Sequence, residues 1–376
     1  MKSFFLFVFF SLGFFLMQGQ QKISFKDSLD HKIDLSDWVI SANGFIPVPI
    51  IITEPALGGI GGLLAAAFVK PKAPYLDSIN GKLVKTRAKP TVYGAAGAYT
   101  ANDTWLVGAF GMGSIKKWRA NYRVIAGYGD VNLNFYRDFP KIGERSFEFN
   151  IKTIPFSTHL IKQINKSSWY AGVDYLYLKT EITNPNFEFN TQKELKSSIS
   201  RLGLLVDYDK RDNIFTPNKG FWFNNLIGVS DNIIGSDYDY TLLNSALFAY
   251  FPITKNIISG YRVEYQQVFG DAPFYMLPYI SMRGIPVMRY QGDVVALAET
   301  EWRWDFTSRY SLVGFGGLAN AFSDKNDYQD TSWKVSGGMG ARYLIARKLQ
   351  LRMGVDVARG PEEWAYYIVF GTSWTR

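Results

Sequence analysis

Cysteine is absent from all 376 residues, so neither a disulfide framework nor a thiolate metal site can be built. Histidine occurs twice, at His31 and His159, which leaves almost nothing for imidazole chemistry. Beyond the N-terminus no long apolar run appears. Residues 46–52 and 60–69 are short and interrupted by proline or glycine, so no helical membrane span is expected. The formal charge is +8, but the basic residues are scattered singly among acids. Without a basic stripe or a recognised module, no nucleic-acid partner is expected. Glycine-rich phosphate loops, nucleotide motifs and metal-ligand spacings are also missing. Ser157 and His159 fall on one strand face, as a nucleophile and base could, yet no oxyanion motif accompanies them. No enzyme, catalytic residue, metal or small-molecule cofactor is therefore expected.

The N-terminus has an export signature. Lys2 precedes an apolar run over residues 4–17, broken by Ser11 and Gly13, and small and polar residues follow at Gln18, Gly19, Gln20 and Gln21. The run is about 14 residues against the ~20 that a spanning helix needs. Residues 1–20 read as a signal peptide, the alternative being an N-terminal anchor. Residues 21–55 read as a short periplasmic arm leading into the main body, with three prolines (Pro47, Pro49 and Pro55) arguing against a central strand. The main body is residues 56–376.

What the chain has in abundance is aromatics, 16% of all residues, together with 34 glycines. That composition suits an all-β chain with aromatic girdles. Alternation supports it. In residues 294–306, Val294, Ala296, Ala298, Thr300, Trp302, Trp304 and Phe306 share one face, while Val295, Leu297, Glu299, Glu301, Arg303 and Asp305 share the other. Period two means a strand. Similar segments recur to give sixteen strands, the first over 56–69, a pair split as 117–127 and 131–138, and the last over 363–374. A soluble sandwich would leave edges to protect and charged faces in strand after strand. A 16-stranded antiparallel transmembrane β-barrel resolves both, with apolar faces to lipid and charged faces to the lumen. Trp118, Trp169, Trp333, Trp364 and Trp374 stand at strand ends, as interfacial belts require. The barrel would sit in the cell outer membrane, with the lipid bilayer as its first partner.

Three stretches carry a resemblance. Asp209, Arg211, Asp212, Thr216, Pro217 and Gly220 fit a D-x-R-D-x-x-x-T-P-x-x-G periplasmic turn, and Met282-Arg283-Gly284-Ile285 resembles a V-R-G-F/Y loop. The strand from Gly292 through Glu301 is similar to the one that follows that loop. Together they resemble the BamA/TamA (bacterial surface antigen) outer-membrane barrel superfamily, in the branch lacking N-terminal POTRA domains, over about residues 195–376. The resemblance implies an inward-folded loop pinned by Arg283 on Glu301, with Glu299 as a secondary partner and Gly284 allowing the turn. It implies a structural brace from Asp209, Arg211, Asp212, Pro217 and Gly220. One departure stands out. The family's F-x-D-x-G motif aligns on residues 315–319, where Gly317 replaces the acid, so a second carboxylate for Arg283 is expected to be missing and Gly317→Asp is expected to tighten the loop.

Two functions remain open. The resemblance implies an accessory in outer-membrane protein or lipid assembly or translocation, with outer-membrane proteins as partners or clients. Its physical basis would be a weak seam between a Gly- and Ala-rich first strand and the last. The alternative is a passive pore, or a structural barrel that anchors a partner complex.

Overall fold

The computed structural model describes residues 24–72, 75–79, 82–86, 90–139, 143–183, 196–322 and 332–374, with side chains for all of these except 75–79, 82–86, 135–139 and 143–147. The expected signal peptide, residues 1–20, lies outside the described residues. Sixteen antiparallel strands form one continuous sheet in chain order that curls into a nearly closed barrel. They are β1 (Gly44–Ile52), β2 (Gly61–Lys70), β5 (Thr91–Thr100), β6 (Trp105–Ile115), β7 (Ala120–Phe139), β8 (Gly143–Gln163), β9 (Trp169–Thr183) and β10 (Lys196–Asp209). The second half is β11 (Gly220–Ser230), β12 (Tyr240–Pro252), β13 (Ile257–Gly270), β14 (Val294–Trp304), β15 (Tyr310–Phe322), β16 (Lys334–Ala346), β17 (Leu351–Arg359) and β18 (Trp364–Phe370). A separate hairpin, β3 (Tyr75–Ile79) with β4 (Lys82–Thr86), stands between β2 and β5.

The expected count of sixteen holds, but two assignments differ. Residues 117–127 and 131–138 are not two strands: β7 runs through both. Its register against β8 is the same on either side of Gly127, which lies opposite Pro155, so the glycines there interrupt the alternation without ending the strand. The barrel also begins earlier than residue 56. Residues 44–52 are β1, paired without a break to β2 from Gly44↔Val69 to Ile52↔Gly61. Proline has no N–H, so an unbroken ladder through Pro47 and Pro49 requires their nitrogens to face away from β2. Such a strand is tolerated at a sheet edge. The Gly- and Ala-rich segment is therefore the second strand, not the first. Among the described residues no ladder joins β1 to β18.

Exposure is inverted relative to a water-soluble protein. On β10, Leu202, Leu204 and Val206 face outward, with Leu204 65% exposed, while Leu205 and Asp207 on the opposite face are buried. Met339 on β16 is 72% exposed, and Val263, Leu312 and Val355 are likewise outward. On β14 the exposed Trp302 and Trp304 oppose the buried Glu299 and Arg303. The inner face of that strand is not polar throughout. Val295 and Leu297 pack under Ile280, Met282 and Ile285 of the β13–β14 loop. Trp374 also departs from expectation. β18 ends at Phe370, Gly371 adopts a φ of +77°, and the chain turns into the lumen, where Trp374 packs on Ala246, Phe248 and Tyr250.

The arm before β1 is ordered and docked. Leu35 N donates to Ile345 O at 2.7 Å, Tyr343 Oη to Ile33 O at 2.7 Å, and Lys348 N to Ser36 Oγ at 3.0 Å. Arg309, in the β14–β15 turn and fully buried, donates to Asp30 at 2.6 Å, to Asp34 at 2.7 Å and to Asp27. Arg347 and Lys348 add pairs to Asp27 and Asp37 at 2.6 and 2.5 Å. The Arg309 hydrogen bond holds the Asp30 carboxyl down to about 2. Burial pushes Asp34 up, but hydrogen bonds from Ser36 and Arg309 outweigh it and also leave it at about 2.

Two outcomes follow. Arg substituted for the lipid-facing Leu204 should cost about 2–4 kcal/mol if it lies near the midplane. Unfolding in urea-treated vesicles measures this, and an unchanged midpoint would place that face away from lipid. Because both carboxyls sit below their ordinary 3.8, their contribution is complete above about pH 4 and is lost as pH falls through about 2. The charged groups facing them are Arg309, Arg347, Lys32 and Asp27, with Tyr343 beside them. Pepsin should therefore cut within residues 24–41 faster at pH 2 than at pH 4. Equal cutting at both would contradict the assignment.

Candidate functional site: a pinned loop and an unpaired seam

The lumen is occupied from the side where β13 ends and β14 begins. The connecting loop, residues 271–293, folds inward and carries Arg283 to the centre. Gly284 makes the approach with φ +87°, and a Cβ there would stand 2.8 Å from Gly360 N, so only glycine fits. Its N–H donates to Tyr367 Oη at 2.9 Å. Arg283 is 2% exposed. It lies 2.8 Å from Glu301 on β14 and 2.7 Å from Asp356 on β17, and its guanidinium stacks 3.4 Å from the Phe315 ring centroid on β15. Asp356, fully buried, also receives Arg342 from β16, at 2.9 Å through Nη2. Arg283 thus joins three walls of the barrel, β14, β15 and β17, to the loop, and Asp356 brings in β16 through Arg342. Ser373, just past β18, donates to Glu301 at 3.1 Å.

Glu299 has a different partner from the one expected. It pairs with Arg262 of β13 at 2.7 Å, and Arg262 also pairs with Glu264 and donates to the loop carbonyl of Ser281 at 2.9 Å. Glu299 therefore acts on the loop through Arg262, and on Arg283 by its charge at longer range, as a secondary partner. Arg283 does have a second carboxylate, on a strand the motif did not point to. Asp356 was legible as an inner-face acid, the only one on β17, opposite the outward Val355 and Val357. Gly317 offers no space for the missing acid. A Cβ there would meet Glu299 Cγ at 2.6 Å and Ala298 O at 2.8 Å. Gly317→Asp is thus expected to loosen the site, not tighten it.

The β10–β11 turn folds across the opposite mouth, where it borders a cavity of about 510 Å³. Arg211 makes a forked pair to Asp209, Nε to Oδ1 at 2.9 Å and Nη2 to Oδ2 at 2.8 Å, and stacks on Trp222. Asp212 accepts from the backbone of Asn218 and Lys219 at 2.9 and 3.2 Å. Pro217 follows Thr216, whose Oγ1 accepts from Arg352 N at 3.3 Å. Gly220, φ +100°, lies so close to Lys210 O that a Cβ would sit 2.2 Å away. Asn213 reaches across to Leu349 O at 3.0 Å. Pro217, Thr216 and Trp374 help to line the gap left beneath Glu301, about 20 Å³, room for roughly one water.

Residues 106–279 match the Omp85 superfamily domain. Over that span, a little under half of the chain, the barrel carries an Omp85 superfamily domain. The matched span contains the β10–β11 turn motif and ends short of Arg283. The fold is similar to BamA from Haemophilus ducreyi lacking POTRA domains 1–3, at TM-score 0.60 and 14% identity, covering 88% of this chain and 70% of that one. It is also similar to CdiB from Escherichia coli, at TM-score 0.57 and 9% identity, covering 86% of this chain and 62% of that one. No curated protein sequence matches. The superfamily whose domain matches is one of outer-membrane β-barrels.

Arg283→Met should cost the barrel about 2–3 kcal/mol, because Asp356 keeps Arg342 and Glu301 keeps Ser373. Combined with Asp356→Asn it should show a coupling of at least ~1 kcal/mol in denaturant unfolding. Strictly additive costs would mean that the two side chains do not interact.

Proposed function

We propose that the protein is a non-enzymatic outer-membrane barrel that assists the assembly or translocation of outer-membrane proteins or lipid, working at the edge between β1 and β18 rather than through its lumen. The observation that carries this is the filled interior. Loop 271–293, the β10–β11 turn and the segment after β18 enter the lumen from both ends, leaving about 20 Å³ beneath Glu301 and a cavity of about 510 Å³ at the mouth beside Asp212, Lys219 and Arg352. A barrel so filled is a poor solute path, which weighs against the passive-pore reading. The sheet meanwhile keeps two strand edges, on β1 and β18, that no ladder joins among the described residues. Unpaired backbone groups facing hydrocarbon each cost several kcal/mol, so such an edge is both weak and receptive. The superfamily relationship supports the same reading, since BamA and CdiB share the fold.

The test is photo-crosslinking in the native cell. A crosslinker at Val48 or Tyr366, exposed residues on the two edge strands, should capture newly made outer-membrane barrel polypeptides, and the adducts should fade as those proteins mature. One at Leu204, on the far wall, should not. Equal capture at all three positions, or none at the edges, would remove the seam from the account.

A further inference from the structure

The ladder that would close this seam is chemically incomplete. Phe45, Pro47, Pro49 and Ile51 share one side of β1, and the unbroken pairing with β2 turns that side toward β18. Two of the four outward donors are therefore missing, and they are the middle two. β18 is short, with seven residues. Backbone pairing alone gives a weak closure, so other contacts must hold the two sides together.

Such contacts exist at both ends of β1. At the far end, the β1–β2 turn is tied to the inward loop, since Val287 N donates to Glu54 Oε1 at 2.9 Å. Arg289 of the same loop pairs with Glu362 in the β17–β18 turn at 3.3 Å. At the near end the chain entering β1 comes from the other side of the seam. Residues 24–41 lie against the β14–β15 and β16–β17 turns, through Arg309, Ile345, Arg347 and Lys348. Then, within three residues of Ser41, β1 begins. Since β18 lies between β17 and β1 in the barrel, the arm must pass beneath it. Its anchor is unusually complete for an exported tail: one fully buried guanidinium takes three carboxylates and the carbonyl of Leu344, at 2.8 Å. Charge-assisted, forked contacts of this kind are directional and cooperative.

We propose that residues 24–41 form a clasp across the β1–β18 seam, locked by Arg309 among Asp27, Asp30 and Asp34, and that undocking this clasp lets the seam part. The proposal rests on the seam reading above, but it concerns the position of β1 and is measured without any client. A competing acidic segment that takes Arg309 would open the clasp by substitution.

The chain has no cysteine, so Val48→Cys/Tyr366→Cys places two nitroxides uniquely, one on each edge strand. In detergent-solubilised full-length protein, pulsed dipolar spectroscopy should give one short distance. Asp27→Asn/Asp30→Asn/Asp34→Asn should add a longer population and expose residues 24–41 to protease. Arg309→Gln should do the same, and the triple aspartate variant carries the test if that buried arginine is needed for folding. With the nitroxides carried instead on keto amino acids at positions 48 and 366, a disulfide tether of Leu35→Cys with Ile345→Cys should restore the single short distance in the triple variant. An arm that stays protected in the triple variant would overturn the lock. A short distance that persists although the arm is released, or a long population that survives the tether, would overturn the clasp. A clasp that opens as described while edge crosslinking to clients fails would leave this inference standing and defeat the functional reading instead.

Discussion

A buried guanidinium must be matched by acids, and Arg283 is the place where this constraint organises the barrel. Removing it from water is costly unless its partners are fixed in advance. Glu301 and Asp356 supply the charge from strands on either side, Phe315 supplies a ring face, and Gly284 supplies the backbone clearance. The loop cannot be drawn outward without leaving Asp356 to Arg342 alone and Glu301 to a single hydroxyl. Everything inside follows from that position. Ile280, Met282 and Ile285 are carried onto Val295 and Leu297, and an apolar core forms where an open channel would need polar walls.

Much of this was legible from residues alone. The strict alternation of 294–305 sets Trp302 and Trp304 outward and Glu299, Glu301 and Arg303 inward, because a strand leaves a side chain no third choice. The Arg283–Glu301 pair could be drawn from the motif. What could not be drawn were contacts between segments distant in sequence. Glu299 and Asp356 are equally plausible acids on paper, and only strand order places the second beside Arg283 and the first beside Arg262. Pro47 and Pro49 read as a break because their missing donors matter only on a paired side, and β1 pairs on one side alone. Trp374 read as a belt residue because nothing local shows that Gly371 turns the chain inward.

The two halves of the account support each other. A filled lumen needs no gate of its own, and the strand pair without a ladder is where the wall is least complete. The barrel compensates for that gap with side chains rather than backbone: Glu54 on the loop at one end, Asp27, Asp30 and Asp34 on Arg309 at the other. Side-chain contacts of this kind can be exchanged singly, whereas a strand ladder in lipid opens only with the loss of many hydrogen bonds together. On the proposed reading, these residue types suit a wall that opens along one line.

The most direct check on the central claim is the ionic current through purified protein in a planar bilayer. With loop 271–293 pinned by Arg283 and the far mouth crossed by the β10–β11 turn and Trp374, the wild-type barrel should be electrically quiet at moderate voltage, with only brief, rare openings. A steady, ohmic conductance of the size expected for an open sixteen-stranded pore would contradict the account.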